Sequence, residues 1–369
     1  MTVPPLTIGI EEEYLLLDPE TGAPVAASER VRRIAAGRDA VDPDVVEPEL
    51  LEVQVEVASA PTVALEAAGQ ELATLRQELS AAAKQAGCRI VAVGAASRFA
   101  DELPPTTDKE RYQAMHDRAP RLVNEMLLNG MHVHIGIDDA DERVAVLNGL
   151  RPWLPYLTAL AANSPLWDGE DSGFASWRTI HFARWPISGP PPVFADAADY
   201  DARASVVFET GALVDAGQLY WQARLSQRYP TVEVRVADVQ LTLDEALFVA
   251  ATIRAAAHSV LEVVRAGGAP GVEVSDELLR AAVWQAARDE FGAALLDPST
   301  GRSRPAGEVL ATAEAMLAPA LAVYGDADRV ERARRRRAEV GSGAARQRRR
   351  FAEAGRTGLL ELLVDEYRR

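Results

Sequence analysis

Apolar residues recur with a period of two along several short stretches of the chain and with a helical period over its last third. Residues 6–17, Leu-Thr-Ile-Gly-Ile-Glu-Glu-Glu-Tyr-Leu-Leu-Leu, predict a first strand, followed by turn residues from Asp18 to Gly22. Residues 50–57 alternate strictly and predict a second strand, residues 131–137 a third and residues 231–237 a fourth. Residues 62–86 have the alanine, leucine and glutamate content of a helix that stops near Gly87, and Ile90 to Gly94 is a short apolar strand. Residues 140–163 hold one or two helices. Residues 100–110 read as a polar loop, and residues 164–195 as a long irregular stretch of Gly, Pro, Trp and Arg, of the kind that usually carries function. Beyond it, residues 243–266, 275–291, 307–322, 327–339 and 357–367 read as helices. The predicted fold class is α+β, one domain over residues 1–369, strand-rich in 1–240 and helical in 241–369.

The polar faces of these strands are chemically unusual. Side chains two apart share a face, so Glu11 and Glu13 stand together on the first strand, and Glu52, Gln54 and Glu56 on the second. His132 and His134 share a face of the third strand, opposite Met131, Val133 and Ile135; Glu233 and Arg235 share one of the fourth, opposite Val232, Val234 and Val236. A half-solvated antiparallel strand would alternate in the same way, but glutamate is depleted from strands. In one sheet, so many carboxylates would repel unless cations lay among them. Magnesium takes hard oxygen ligands together with phosphate oxygens; the two histidines beside glutamates leave a zinc site as an alternative.

Composition narrows the function. Acidic residues outnumber basic ones 55 to 39, for a formal net charge of -16, which disfavours a broad nucleic-acid surface. Cys88 is the one cysteine, so no intramolecular disulfide can form, and it reads as a small core residue. The first residues show no signal peptide, and no uninterrupted apolar run approaches the ~20 residues of a membrane span, so a cytoplasmic location without membrane partners is expected. Neither a GxxxxGK[ST] loop nor a GxGxxG turn is present, which leaves metal ions and arginines to hold any nucleotide phosphates. No GxSxG elbow marks a hydrolase nucleophile.

Several segments then carry a resemblance. Gly9 to Tyr14, Glu49 to Glu56, Arg111 to Met115, Gly130 to Gly136, Ala162 to Pro165, Ser176 to Arg178, Arg184 to Pro186, Val232 to Arg235 and Gly341 to Arg348 follow one another between residues 7 and 366. In that order and spacing the chain resembles the glutamate–cysteine ligase type 2 family, and within it the YbdK-type carboxylate–amine ligases. The resemblance implies a glutamine-synthetase-like fold, a curved and largely antiparallel sheet forming a funnel with helices outside. It implies metal ligation by Glu11, Glu13, Glu49, Glu56, His132 and Glu233, with His134 on the same face. Glu49 has the opposite parity to Glu56, so it must precede the regular strand or sit at a bulge. It further implies that Arg178 binds the substrate carboxylate, with Tyr112, Trp177 and Arg184 around it, and that Arg235 contacts the phosphates; Arg178, Glu233 and Arg235 are then the catalytic set.

The activity so implied is ATP- and Mg2+-dependent ligation of glutamate, or an analogue, to an amine through an acyl phosphate, in a homodimer acting on small molecules. The segment from Arg178 to Trp185 departs from the aromatic pattern of the cysteine pocket, which makes cysteine a weak acceptor. The arginine runs at 332–337 and 346–350 read as a solvated helix face or, alternatively, as bringing Arg346 or Arg348 to the nucleotide. A phosphotransferase of the same fold and a non-catalytic nucleotide-binding protein are the competing readings.

Overall fold

The computed structural model describes residues 3–97 and 102–368. Its centre is an open seven-stranded sheet built from β1 (Ile8–Leu17), β2 (Val46–Pro48), β3 (Gln54–Ala58), β4 (Arg89–Val91), β5 (Gly130–Gly136), β6 (Ala223–Leu225) and β7 (Thr231–Asp238). The order is β6-β7-β5-β1-β3-β2, with β4 pairing with the end of β1, and every pair is antiparallel. β1 pairs with β5 through Ile8 to Glu12 and with β4 through Leu15 to Leu17.

The second predicted strand is shorter than its alternation suggests. Leu51 makes an isolated bridge to Thr106, and Gln54 N donates to Leu51 O at 2.9 Å, so residues 52–53 form a turn before β3 begins. The Glu52 carbonyl there accepts from Ala27 N and Ser28 N at 3.0 and 2.9 Å, and its side chain leaves the face it was expected to share with Glu56. β2, bounded by prolines at 43 and 48, has no readable alternation and was not expected.

The sheet divides two apolar cores. On the back, Ile8, Ile10, Tyr14 and Leu16 of β1 pack with Val133, Ile135, Val232 and Val234 against helices Leu65–Gln85 and Leu243–Arg265. On the front, Leu15, Leu17, Leu51 and Val53 join Met115, Leu128, Trp185 and Leu363 in a second cluster at one end of the sheet. The front of β1 therefore changes from Gly9, Glu11 and Glu13 to Leu15 and Leu17, and the apolar cluster floors the polar cup.

Helices Asp276–Asp289, Ala306–Tyr324, Ala327–Val340 and Gly343–Tyr367 fill the last third, the last interrupted at Gly355, where φ is 61°. A hairpin, Ala294–Asp297 with Arg302–Pro305, breaks this run, so the third is less purely helical than its periodicity predicts. Leu243–Arg265 and Ala306–Tyr324 are long and apolar enough to cross a membrane by length and mean composition, although charged residues interrupt both, and the first is mostly buried inside the fold. Part of the 100–110 loop, residues 100–101, lies outside the described residues. The 164–195 stretch contains a small hairpin, Leu166–Trp167 with Glu170–Asp171, and helix Trp177–Phe182, capped by Ser176.

Candidate active site

Register turns the four polar faces into one cup. Glu13 stands opposite Glu56, Glu11 opposite His132 and Glu233 opposite His134, and opposed residues project to the same side. The cup opens into a cavity of about 1040 Å3 whose wall contains Glu11, Glu13, Glu49, Glu56, His132, His134 and Glu233, with Arg235 and Tyr112. Glu49 lies between β2 and the turn before β3, outside the regular strand, which is where its parity requires it.

Glu11 is the hub. Its carboxylate lies 3.0 Å from His132 Nδ1 and 3.1 Å from His134 Nε2. Burial would raise its pKa, but the bonds to the two imidazoles hold it well below the usual carboxylate range. Two sets of donor atoms converge around it, Glu11–Glu56–His132 and Glu11–His134–Glu233, each within 4.8 Å. Burial raises the Glu56 carboxyl well above its ordinary value, and the neighbouring Glu11, Glu49 and Glu13 raise it further. Glu13, buried and near Glu49, is pushed up to about 7, although Arg178, the Gly130 N–H and Arg235 oppose the shift. Burial and then Arg235 depress His132 to about 4, so its imidazole is neutral and able to ligate.

A divalent cation fits this donor set. Among the described residues the Nε2 atoms of His132 and His134 are buried without a well-aligned hydrogen bond, and carboxyls held up by burial and by mutual repulsion are what a 2+ ion relieves. Charge of the other sign lines one side. Arg224 donates to both oxygens of Glu233 at 2.7 and 3.0 Å, and Arg235 bonds to the same carboxylate. These arginines overcome the burial of Glu233 and keep it ionised, well below the carboxylate range.

Arg178 lies beside the cup at its Gly130 end, lining a second cavity of about 30 Å3 that shares Phe182, Tyr220 and Arg235 with the large one. Its guanidinium is buried and, among the described residues, bonds to the Arg235 carbonyl at 3.3 and 3.4 Å and leaves Nε without a partner. A buried cation without a carboxylate is costly, and burial accordingly lowers the Arg178 pKa. The Phe182 ring centre is 5.3 Å from the guanidinium, so an aromatic does flank this arginine.

Four residues predicted for the site are elsewhere. Trp177 stacks in an aromatic group with Trp167 and Phe174 and lines neither cavity. Arg184 is held by Glu125 at 2.5 Å and by His181. Arg346 is buried in an ion pair with Glu245 at 2.7 Å, and Arg348 pairs with Asp171 at 2.8 Å, so neither reaches the cavity. The arginine runs are largely matched by acids such as Glu331, Glu290 and Glu361, as a paired helix face would be. Conversely, Arg224, Lys109, Arg111 and Tyr220 line the cavity and were not singled out. Arg224 stands opposite Glu233 in the register, which only the pairing of β6 with β7 reveals.

Comparison with known proteins carries this further. The model of glutamate-cysteine ligase family 2 matches residues 7–366. The "Putative glutamate--cysteine ligase 2-2" of Mycolicibacterium vanbaalenii is 40% identical over 343 residues, covering 93% of this chain and 92% of that protein. The "Putative glutamate--cysteine ligase 2" of Salinispora arenicola is 42% identical over 348 residues, covering 93% and 90%. The chain belongs to glutamate-cysteine ligase family 2. It is an ATP-dependent ligase that forms carbon–nitrogen bonds, which sets the phosphotransferase and non-catalytic readings aside. Solved structures show the same fold at low identity. Glutamate–cysteine ligase of Francisella tularensis in complex with AMP superposes with a TM-score of 0.70 at 13% identity, covering 100% of this chain and 89% of that one. The ligase PafA, in complex with the prokaryotic ubiquitin-like protein Pup, gives 0.55 at 12%, covering 97% and 72%. In this family 2 ligase the glutamine-synthetase-like sheet is open, with no closed barrel.

Proposed function

We propose that this family 2 ligase joins the side-chain carboxylate of glutamate, or a close analogue, to an amine, using ATP and magnesium and passing through an acyl phosphate. The observation that carries the reading is the pair of donor sets sharing Glu11, placed beside Arg235 on one wall of the large cavity. Glu11, Glu56, His132, His134 and Glu233, with Glu13 and Glu49 nearby, are the residues that would hold magnesium; the ions would neutralise triphosphate oxygens as charge develops on them.

The chain's own residues do the rest. Arg235, buried and braced by Glu233, presents fixed positive charge toward the transferred phosphoryl group. Arg178 holds the carboxylate of the amino-acid head, in a pocket sized for one such group and walled by Phe182 and Tyr220. With both ends fixed, the side-chain carboxylate of the donor attacks the γ-phosphorus of ATP and ADP leaves; the amine nitrogen then attacks the carbonyl carbon and phosphate leaves. No protein nucleophile is needed, since positioning and electrostatics carry the rate. Cysteine is a candidate acceptor in this reading, and the protein works in the cytoplasm as a homodimer.

The test is release of ADP and phosphate by purified protein supplied with ATP, glutamate and a panel of amines. Release should require donor, amine and magnesium together. Release that did not depend on the amine would refute the coupled reaction, and silence across the whole panel would refute the donor assignment.

A further inference from the structure

One buried carboxylate on the catalytic strand is outside the metal cup. Asp238 ends β7, beyond a bulge: Glu233 stands opposite His134 and Asp238 opposite Gly130, so five steps along β7 match four along β5. The extra residue reverses the parity of the strand and brings Asp238 to the side that Glu233 and His134 face. There the carboxylate, 1% exposed, accepts three hydrogen bonds, from Asn163 N and Ser164 Oγ at 2.7 Å each and from Ser176 Oγ at 3.0 Å.

Each serine passes the constraint on. Ser164 Oγ accepts from the backbone N–H of Arg178 at 3.0 Å. Ser176 Oγ accepts from Thr179 N at 3.3 Å and caps the helix whose second residue is Arg178. Two hydroxyls thus tie the Asp238 carboxylate to the backbone on which the Arg178 side chain is mounted. The guanidinium then crosses Gly130, where an added Cβ would come within 2.3 Å of its terminal nitrogen. Asp238 sits close enough to be a main source of favourable charge for Arg178, with Glu13 second, yet no carboxylate among the described residues pairs directly with the guanidinium.

We propose that Asp238 is the positioning residue for Arg178: it fixes the backbone beneath that side chain and balances its charge without occupying it, leaving the guanidinium open to the carboxylate of the donor amino acid. The inference rests on the donor-binding role given to Arg178 above. Amide replacement exposes the device. Asp238→Asn removes the charge and keeps one acceptor oxygen, and its NH2 group forces a serine tether to reverse its donor or the Asn163 N–H to lose its acceptor.

The experiment measures hydroxamate and ADP formation from ATP, magnesium, L-glutamate and hydroxylamine, which replaces the unknown acceptor with a generic amine. For Asp238→Asn we expect the KM for glutamate to rise about tenfold or more while kcat and the KM for ATP stay within about threefold, the signature of lost donor binding. Ser164→Ala and Ser176→Ala, which remove one tether each, should move the glutamate KM the same way by smaller factors. They also keep the proposal testable if Asp238→Asn does not fold. Equal loss for ATP and glutamate, or a fall in kcat alone, overturns it in favour of a general structural role. Arg178→Ala separates the two claims: an unchanged glutamate KM refutes the role of Arg178 itself, whereas a raised one beside unaffected Asp238 and serine variants refutes only the positioning. A wild-type enzyme silent with glutamate and hydroxylamine refutes the donor assignment and this inference with it.

Discussion

Three consecutive glutamates on β1 meet two different fates. Glu12 points to the back of the sheet and is completely buried, where Arg76 donates to it, Nε at 3.0 Å, and the Tyr14 hydroxyl donates at 2.6 Å. Arg76 in turn bonds the carbonyls of Gln240 and Leu241 at 3.2 and 3.3 Å and lies beside the rings of Tyr14 and Tyr367, 5.6 and 5.4 Å from their centres. That charge is matched within the chain. Glu11 and Glu13 face forward, where the nearest groups include neutral imidazole and more carboxylates, and the Glu13 carboxyl is raised instead of held ionised. One strand thus carries a self-sufficient structural charge and, one residue further on, a carboxyl that the chain's own cations do not hold ionised.

Substitutions at adjacent positions should separate these roles. Glu11→Gln removes the donor common to both ligand sets, and turnover should fall on the order of a thousandfold with the fold retained; a variant that unfolds or keeps most of its activity would merge the two faces. Glu12→Gln leaves Arg76 buried without its charge partner, which costs about 3–5 kcal/mol. Urea unfolding should show that loss, and at low temperature the surviving folded protein should still bind magnesium.

Glu56→Gln goes the other way in metal-free protein. It removes a carboxyl that Glu11, Glu49 and Glu13 already oppose, so stability should hold or rise by about 1 kcal/mol, while the stabilisation given by magnesium disappears. A thermal scan with and without the ion reads both effects.

The forward carboxyls also predict a pH signature. Glu13 in the folded protein titrates at about 7, above its unfolded value, so the metal-free fold is favoured with that proton on and loses this contribution as pH rises toward 7. Magnesium needs the carboxylate. Its affinity should therefore increase from about pH 6 to pH 8, with protons released to buffer on binding. Calorimetry in buffers of different ionisation enthalpy would detect the release, and a flat affinity over that range would exclude it. The smallest effect belongs to Arg348→Ala. That arginine pairs with half-exposed Asp171 outside the cavity, so stability should change by less than about 0.5 kcal/mol and the KM for ATP not at all.

The same contrast explains what could be read from the sequence. Alternation placed Glu11, Glu13, Glu56, His132, His134, Glu233 and Arg235 on strand faces because a side-chain period of two survives in short stretches, and the structure brings all seven to one cavity. Hidden from the sequence were features set by pairing across the chain. The turn that takes Glu52 off the face depends on contacts with residues 27, 28 and 105. Arg224 becomes a site residue only through its register against Glu233, and the bulge that turns Asp238 inward is a difference in count between two strands. Arg346 shows the opposite error: a basic run invites a ligand, but Glu245, about a hundred residues away in sequence, supplies the charge from within.

The meeting of Tyr14 and Tyr367, ring centres 5.1 Å apart and nearly perpendicular, has a consequence for how the molecule is made. The strand that presents the central acids is synthesised early, yet its rear is sealed by a residue some 350 positions later, with Arg76 packed beside both rings. Contacts of such long range are slow to form, so a ribosome-bound chain should hold β1 unsealed until helix Gly343–Tyr367 emerges, and a protease nick that frees that helix should loosen Glu11 and Glu13 without touching either.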